Sequence, residues 1–271
     1  MNLLKPLTDL LGSVLGFGKG KTHGTGSLEE LQEIIKFRFR SIPLLKQALT
    51  HKSAISSDDP KGLFSNERLE FLGDAVLNCL VTEHLYLLHP DKSEGQLSKI
   101  KSLIVSRKIL GEIALGFDLG RYLILGLSEE KSGGRGRIST LSNAFEALLG
   151  AIYLDNGLEP AHDFLDNFLF GRISEFLKDE SNINYKSRIL EMAQRDGFGI
   201  PRYVTIATSG PDHAKEFRVR IEIAGVPMGE GAGTNKKIAQ QNAAMNASMN
   251  YTRELIISRS KGDGKNELVS H

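Results

Sequence analysis

From about residue 27 to about residue 178, apolar residues recur at intervals of three and four, the repeat that lines one face of an α-helix. The clearest runs are LEELQEIIKFRF, NERLEFLGDAVLNCLVTEHLYLL, LSKIKSLIVSRKILGEIAL and LSNAFEALLGAIYL. Breaks fall at Pro43, at Asp58, Asp59 and Pro60, at His89 and Pro90, and at Ser132, Gly133 and Gly134. Alternation with a period of two is almost absent, so residues 28–177 are expected to form an all-α domain. The polar stretch KDESNINYK contains a linker, residues 178–184. Beyond it the pattern changes to a helix over about 185–197, three alternating strands in PRYVTIATSG, EFRVRIEIAG and VPMGEGAG, and an alanine-rich helix from Asn235 to about residue 251. The order α-β-β-β-α over residues 185–251 predicts a small α+β domain. Residues 1–27 are left as an arm and 252–271 as a tail.

Composition narrows the class. A chain of 271 residues suits one large and one small domain, and 40% apolar with 25% charged residues is enough for packed cores. The formal net charge of +1 argues neither for nor against a nucleic-acid partner, so charge has to be read locally. Cys79 is the one cysteine, which excludes an internal disulfide and multi-cysteine zinc sites and fits a reducing cytosol. Its place in an apolar run predicts a buried side chain. No uninterrupted apolar run approaches the roughly 18 residues of a membrane span, so no membrane partner is expected. The arm MNLLKPLTDLLGSVLGFGKGK is apolar but broken by Pro6, Asp9 and glycines, with no cleavage site after it. Gly20, Lys21 and Thr22 imitate the end of a phosphate-binding loop, but Leu15 stands where that loop needs glycine and no strand precedes it, so no nucleotide cofactor is expected.

The chemistry begins in NERLEFLGDAVL, where Glu67, Glu70 and Asp74 stand three and four apart, within an arc of about 60° on one helix face. Leu69, Phe71, Leu72, Ala75, Val76, Leu77 and Leu80 surround them, and a helix apolar nearly all round is expected to be largely buried. Burying carboxylates costs several kcal/mol each unless they are paired or hold a metal. An ordinary acidic first turn, capped by Ser65 or Asn66, accounts for Glu67 and Glu70 but leaves Asp74, two turns in, unexplained. On a second strongly apolar helix, LSNAFEALLGAIYLD, Asn143 and Glu146 stand three apart. Packed together, the two helices bring Glu70, Asp74, Asn143 and Glu146 to one place, four oxygen donors suited to Mg2+ or Mn2+. The other metal reading, a di-metal carboxylate oxidase, lacks the paired Glu-x-x-His elements of such bundles.

NERLEFLGDAVL resembles the signature segment of the ribonuclease III family, and RISTLSNAFEALLGAIYLD resembles its second acidic helix. LTHKSA at 49–54, SEGQLSKIKSLIV at 93–105 and KSGGRGRIST at 131–140 match in order and spacing, so the resemblance spans residues 28–251. It implies a cytoplasmic, homodimeric endoribonuclease that cuts double-stranded RNA with Mg2+, Mn2+ being able to substitute. Such an enzyme leaves 5′-phosphate and 3′-hydroxyl ends and processes ribosomal RNA and other duplex precursors. It implies that Glu70, Asp74 and Glu146 are metal ligands or catalytic carboxylates, Asp74 and Glu146 foremost, with Asn143 as the remaining ligand. Glu67 and Glu94 match acidic positions near the subunit interface and cutting groove. The family usually has Asp at position 143, and an amide oxygen in its place still coordinates a hard cation with one charge fewer, so ion affinity is expected to fall. The alternative function follows from that departure: a double-stranded-RNA-binding regulator that keeps the nuclease fold and cuts weakly or not at all. His51 is expected to make a structural hydrogen bond, and Arg135 and Arg137 to meet phosphate or solvent.

The C-terminal segment resembles a double-stranded-RNA-binding domain, most plainly in GEGAGTNKKIAQQNAA. Asn235 suits a helix N-cap, and Lys236 and Lys237 at a helix start suit a phosphate. The glycines suit close approach of a partner, and Ala239, Ala243, Ala244 and Ala247 suit close packing on a sheet. His213 in GPDHAKEF, and Ser187 and Glu191 on the first helix, match positions that reach the minor groove of A-form RNA. Leu190 stands where the family often has Gln, which puts some groove contacts in doubt. Residues 185–251 carry nine Lys/Arg against six Asp/Glu, a local excess that favours phosphate contact.

Overall fold

Serines open four helices of the N-terminal part of the chain. Ser27 precedes α1 (Leu28–Ile34) and accepts the Glu30 amide at 3.1 Å. Ser41 precedes α2 (Ile42–Ala48), Ser93 closes a capping box with Gln96 on α4 (Glu94–Ile104), and Ser106 accepts the Ile109 amide on α5 (Arg107–Gly116). Between α2 and α4 runs the long α3 (Glu67–Leu88), and α6 (Leu127–Lys131), α7 (Ile138–Asn156), α8 (Leu158–Phe168) and α9 (Ile173–Lys178) complete the set. The computed structural model describes residues 21–22, 24–55, 62–179, 182–211 and 214–263 and divides after Glu180 into two units.

The first unit is helical around one core. Leu77, Leu110, Leu141, Phe145, Leu148 and Phe164 are all buried there, with α7 surrounded on nearly every side. Two short strands, β1 (Lys21–Thr22) and β2 (Leu125–Gly126), pair antiparallel, so part of the segment read as an arm is laid against the helical body. Gly24 and Gly26 allow that approach: a Cβ on Gly24 would lie 1.5 Å from the Arg121 carbonyl oxygen, and one on Gly26 2.2 Å from the Tyr122 ring.

α3 departs from expectation. Its buried face carries Leu69, Gly73, Val76, Leu77, Leu80 and Leu85, but Phe71 is 81% and Tyr86 70% exposed, and Ala75 lies open on the same side. Cys79 is exposed as well, contrary to the buried side chain expected of it, because it belongs to the outward face that the apolar run conceals. Among the described residues α3 is the one helix that passes for a membrane span by length and composition. It packs instead as a core helix against α7 and carries Glu67, Glu70 and Asp74 in its first two turns.

The second unit has the order α10 (Tyr185–Arg195), β3 (Arg202–Ser209), β4 (Glu216–Ile223), β5 (Val226–Gly233), α11 (Lys236–Met249), with an antiparallel sheet β3-β4-β5. Val219, Ile221 and Ile223 alternate inward from β4 and meet Ile189 and Ala193 of α10 and Ala239, Ala243, Ala244 and Ala247 of α11. A further helix, α12 (Arg253–Asp263), places Ile256 fully inside this core, so the packing of the unit reaches beyond residue 251.

Candidate active site

The acidic site is built by two glycines. A Cβ on Gly73 of α3 would lie 1.8 Å from the Glu146 carbonyl oxygen, and one on Gly150 of α7 would lie 2.4 Å from that of Leu69. The helices therefore cross almost backbone to backbone. Gly73 sits beside Asp74 and three residues after Glu70, while Glu146 is one turn before Gly150, so the crossing faces two carboxylates of α3 toward one of α7.

Their electrostatics record this proximity. Burial, then the negative charges of Asp74 and Glu70, push the Glu146 carboxyl up to about 7. Burial first, then Glu67, with a smaller part from Asp74, raises Glu70 as well, and Arg107 opposes the rise at both carboxyls. Asp74 accepts a hydrogen bond through Oδ1 from Asn78 Nδ2 at 3.0 Å. Asn143 is half-buried one turn before Glu146. Among the described residues no three His, Cys, Asp or Glu side chains are gathered as a finished metal cage. What the crossing assembles is a group of oxygen donors, half-buried at Glu70, Asn143 and Glu146 and exposed at Asp74, contrary to the buried position expected of that residue; their mutual repulsion makes added positive charge favourable, and the donor chemistry fits a hard divalent cation.

Other predicted residues lie around or apart from this group. Glu67 forms an exposed ion pair with Lys52 at 3.0 Å. Glu94, exposed at the start of α4, accepts the Ser98 hydroxyl at 2.6 Å. His51 Nδ1 accepts the Ser53 amide at 3.2 Å, Ser53 Oγ accepts the Gly126 amide at 2.9 Å, and burial lowers the imidazole pKa, so His51 has the structural role expected of it. Arg135 does not wait for phosphate: it pairs with Glu130 at 2.6 Å and donates to the carbonyls of Gly120 and Leu123. Arg137 pairs with Glu129 and donates to Ser132. Arg137 holds its own loop, and Arg135 ties that loop to the segment 120–123.

Several contributors escaped the sequence reading. Gly73, Gly150 and Arg107 act on the site, and Asp155 of α7 accepts the amides of Arg40 and Ser41 at 2.8 and 3.0 Å, capping α2 from another helix. Glycine inside a strongly apolar helix was the available signal, since it costs about 0.5–1 kcal/mol relative to alanine and calls for a packing reason.

In the second unit, Ser187 and Glu191 are exposed on α10, whose start is capped by Asn184 accepting the Ser187 amide at 3.2 Å, and Leu190 between them is half-buried. Asn235 caps α11, accepting the Ile238 amide at 2.9 Å, and Lys236 and Lys237 open that helix exposed. The glycines before them serve packing: a Cβ on Gly231 would lie 2.2 Å from the Ala243 nitrogen, with Gly229 and Gly233 similarly close to Ala247 and Ala239. They meet the chain's own helix, not the external partner expected from sequence. His213 lies outside the described residues.

Comparison with known proteins agrees with this layout. A family profile described as Ribonuclease-III-like matches residues 41–173, and one described as a double-stranded RNA binding motif matches 185–249. Ribonuclease 3 of Desulforamulus reducens is 43% identical over 217 residues, 80% of this chain and 88% of the relative. Ribonuclease 3 of Clostridium tetani is 41% identical over 220 residues, 81% of this chain and 93% of that one. Among solved structures, the nuclease domain of ribonuclease III from Campylobacter jejuni is 36% identical, with a TM-score of 0.50, covering 57% of this chain and 99% of its own. These relatives favour a nuclease over a regulator that only binds. With two acidic helices crossed on glycines and an α-β-β-β-α unit following them in the sequence, this chain belongs to the ribonuclease III family, endoribonucleases that cleave double-stranded RNA.

Proposed function

We propose that Glu70, Asp74, Asn143 and Glu146 form the cutting centre and hold Mg2+, replaceable by Mn2+, with Asp74 and Glu146 carrying the catalysis. The observation that supports this reading is the mutual charge of Asp74, Glu70 and Glu146 across the helix crossing. When bound, a divalent ion activates water and offsets charge on the transferring phosphoryl group. Glu70, Asp74 and Glu146 supply fixed negative charge for it, Asn143 supplies a neutral oxygen, and the Gly73–Gly150 contact fixes the spacing of the two helices.

The products are duplex fragments with 5′-phosphate and 3′-hydroxyl ends, and the substrates are ribosomal RNA and other duplex precursors in the cytoplasm. Ser187, Glu191, Asn235, Lys236, Lys237 and His213 contact the RNA. The exposed stripe of α3, Phe71, Ala75, Cys79 and Tyr86, joins two copies so that each strand meets one centre, with Glu67 and Glu94 near that interface or the groove. A long RNA duplex incubated with Mg2+ or Mn2+ tests the centre. Glu146→Gln and Asp74→Asn are expected to slow single-turnover cleavage by about 100-fold or more, roughly 3 kcal/mol, while duplex binding in a gel shift persists. Cleavage at the unaltered rate by both variants would remove these residues from the centre.

A further inference from the structure

We propose that Gln240 and Gln241 of α11 are positioning residues for duplex recognition, setting the turn of α10 that carries Ser187 against the start of α11. The inference rests on the reading that Ser187, Glu191, Lys236 and Lys237 contact the RNA. Gln241 reaches the backbone at the start of α10 twice: its Nε2 donates to the Ile183 carbonyl at 2.7 Å, and its Oε1 accepts the Lys186 amide at 3.3 Å. That amide is one of the first-turn donors that a helix cannot satisfy from within itself, and the next one, of Ser187, goes to Asn184. Gln240 takes the Lys186 side chain. Its Oε1 accepts Nζ at 2.6 Å, while the ammonium lies 4.9 Å from the centre of the Tyr203 ring.

These contacts join the two halves of the proposed RNA surface. Gln240 follows Lys236 by four residues and Lys237 by three, so it stands beside both on α11, and on α10 Lys186 adjoins Ser187. Beneath them Ala239, Ala243, Ala244 and Ala247 are fully buried, and side chains this small form shallow ridges that do little to fix how one helix lies on another. The amides supply that alignment, because a hydrogen bond weakens steeply once its length or angle departs from the optimum. Contacting groups held in place beforehand need less ordering when the duplex binds. The clamp is also neutral. Among the described residues no carboxylate pairs with Lys186, so an amide holds its ammonium without cancelling a charge that favours phosphate.

The test measures binding of a labelled RNA duplex to the full chain in EDTA, by fluorescence anisotropy well below the Tm. Gln240→Met with Gln241→Met keeps side-chain length and helix propensity but removes the hydrogen bonds, and is expected to weaken binding about tenfold. Ser187→Ala with Glu191→Ala is expected to weaken it by a similar factor. All four substitutions together are expected to fall well short of the product of the two losses, about 100-fold, because contacts already misplaced have less to lose. Losses that multiply in full overturn the proposal, since the groups then act independently. So does a Met variant with unchanged affinity and only a lower Tm, because that clamp serves the fold alone. If the double Met variant is unfolded, Gln240→Met by itself, which leaves both bonds of Gln241 in place, goes through the same cycle. If neither Ser187→Ala with Glu191→Ala nor Lys236→Gln with Lys237→Gln weakens binding, the reading of the RNA surface fails; if these do and the Met variants do not, the role of the clamp alone fails.

Discussion

At the scale of single residues, Glu146 concentrates the electrostatics of the site. Its carboxyl is raised from 4.5 to about 7 in the fold by burial and by Asp74 and Glu70. A folded-state pKa above the unfolded one means that the native protein binds the proton more tightly. The resulting stability is present in full below 4.5 and is lost as pH rises through about 7. In EDTA, the Tm of the unaltered protein is therefore expected to fall relative to that of Glu146→Gln over this interval, and Mg2+ is expected to restore it at pH 8 by binding the native state. A Tm difference that stays flat with pH contradicts the assignment. Asn143 gives a second prediction. Asn143→Asp adds the missing charge and is expected to lower the Mg2+ concentration for half-maximal cleavage severalfold, read from rate against Mg2+ concentration.

At the scale of elements, close helix packing does the positioning in both units. Gly73→Ala would put a methyl group 1.8 Å from the Glu146 carbonyl oxygen, backbone against side chain, with no flexible group to yield. Overpacking of this kind costs about 2 kcal/mol or more, a fall in Tm of roughly 4–8 °C, and moves Glu146 relative to Glu70 and Asp74. Calorimetry and cleavage rate are expected to drop together. The same device recurs in the second unit, where Gly231 lets α11 rest on β5 and sets Lys236 and Lys237 at the helix start.

At the scale of the whole molecule, the exposed face of α3 is the feature that a single copy leaves unexplained. Phe71 at 81% and Tyr86 at 70% exposure on a central helix are unusual for a chain that stands alone. Phe71→Asp is expected to shift the protein from dimer to monomer at about 10 μM in analytical ultracentrifugation, the apolar contact giving about 2 kcal/mol or more per side. Two-strand cleavage should fall with it. A dimer unchanged by this substitution would place the interface elsewhere.

The chain by itself determined a great deal here. The three-to-four repeat specified the helical unit, and alternation with turn residues specified β3, β4 and β5, because both periodicities follow from local backbone geometry. The spacing of Glu70 from Asp74 on one helix, and of Asn143 from Glu146 on another, was legible for the same reason. What needed the tertiary structure was everything that depends on which element meets which. Periodicity gives a helix its faces but does not say which one is covered, and so Cys79 was expected inside and lies outside. The partners of Arg135, Glu130 with the carbonyls of Gly120 and Leu123, are found only once the chain folds, so sequence left it to phosphate or solvent. Spacing along one helix is fixed by its covalent geometry, whereas the meeting of two helices is fixed by packing, and here a pair of glycines decides it.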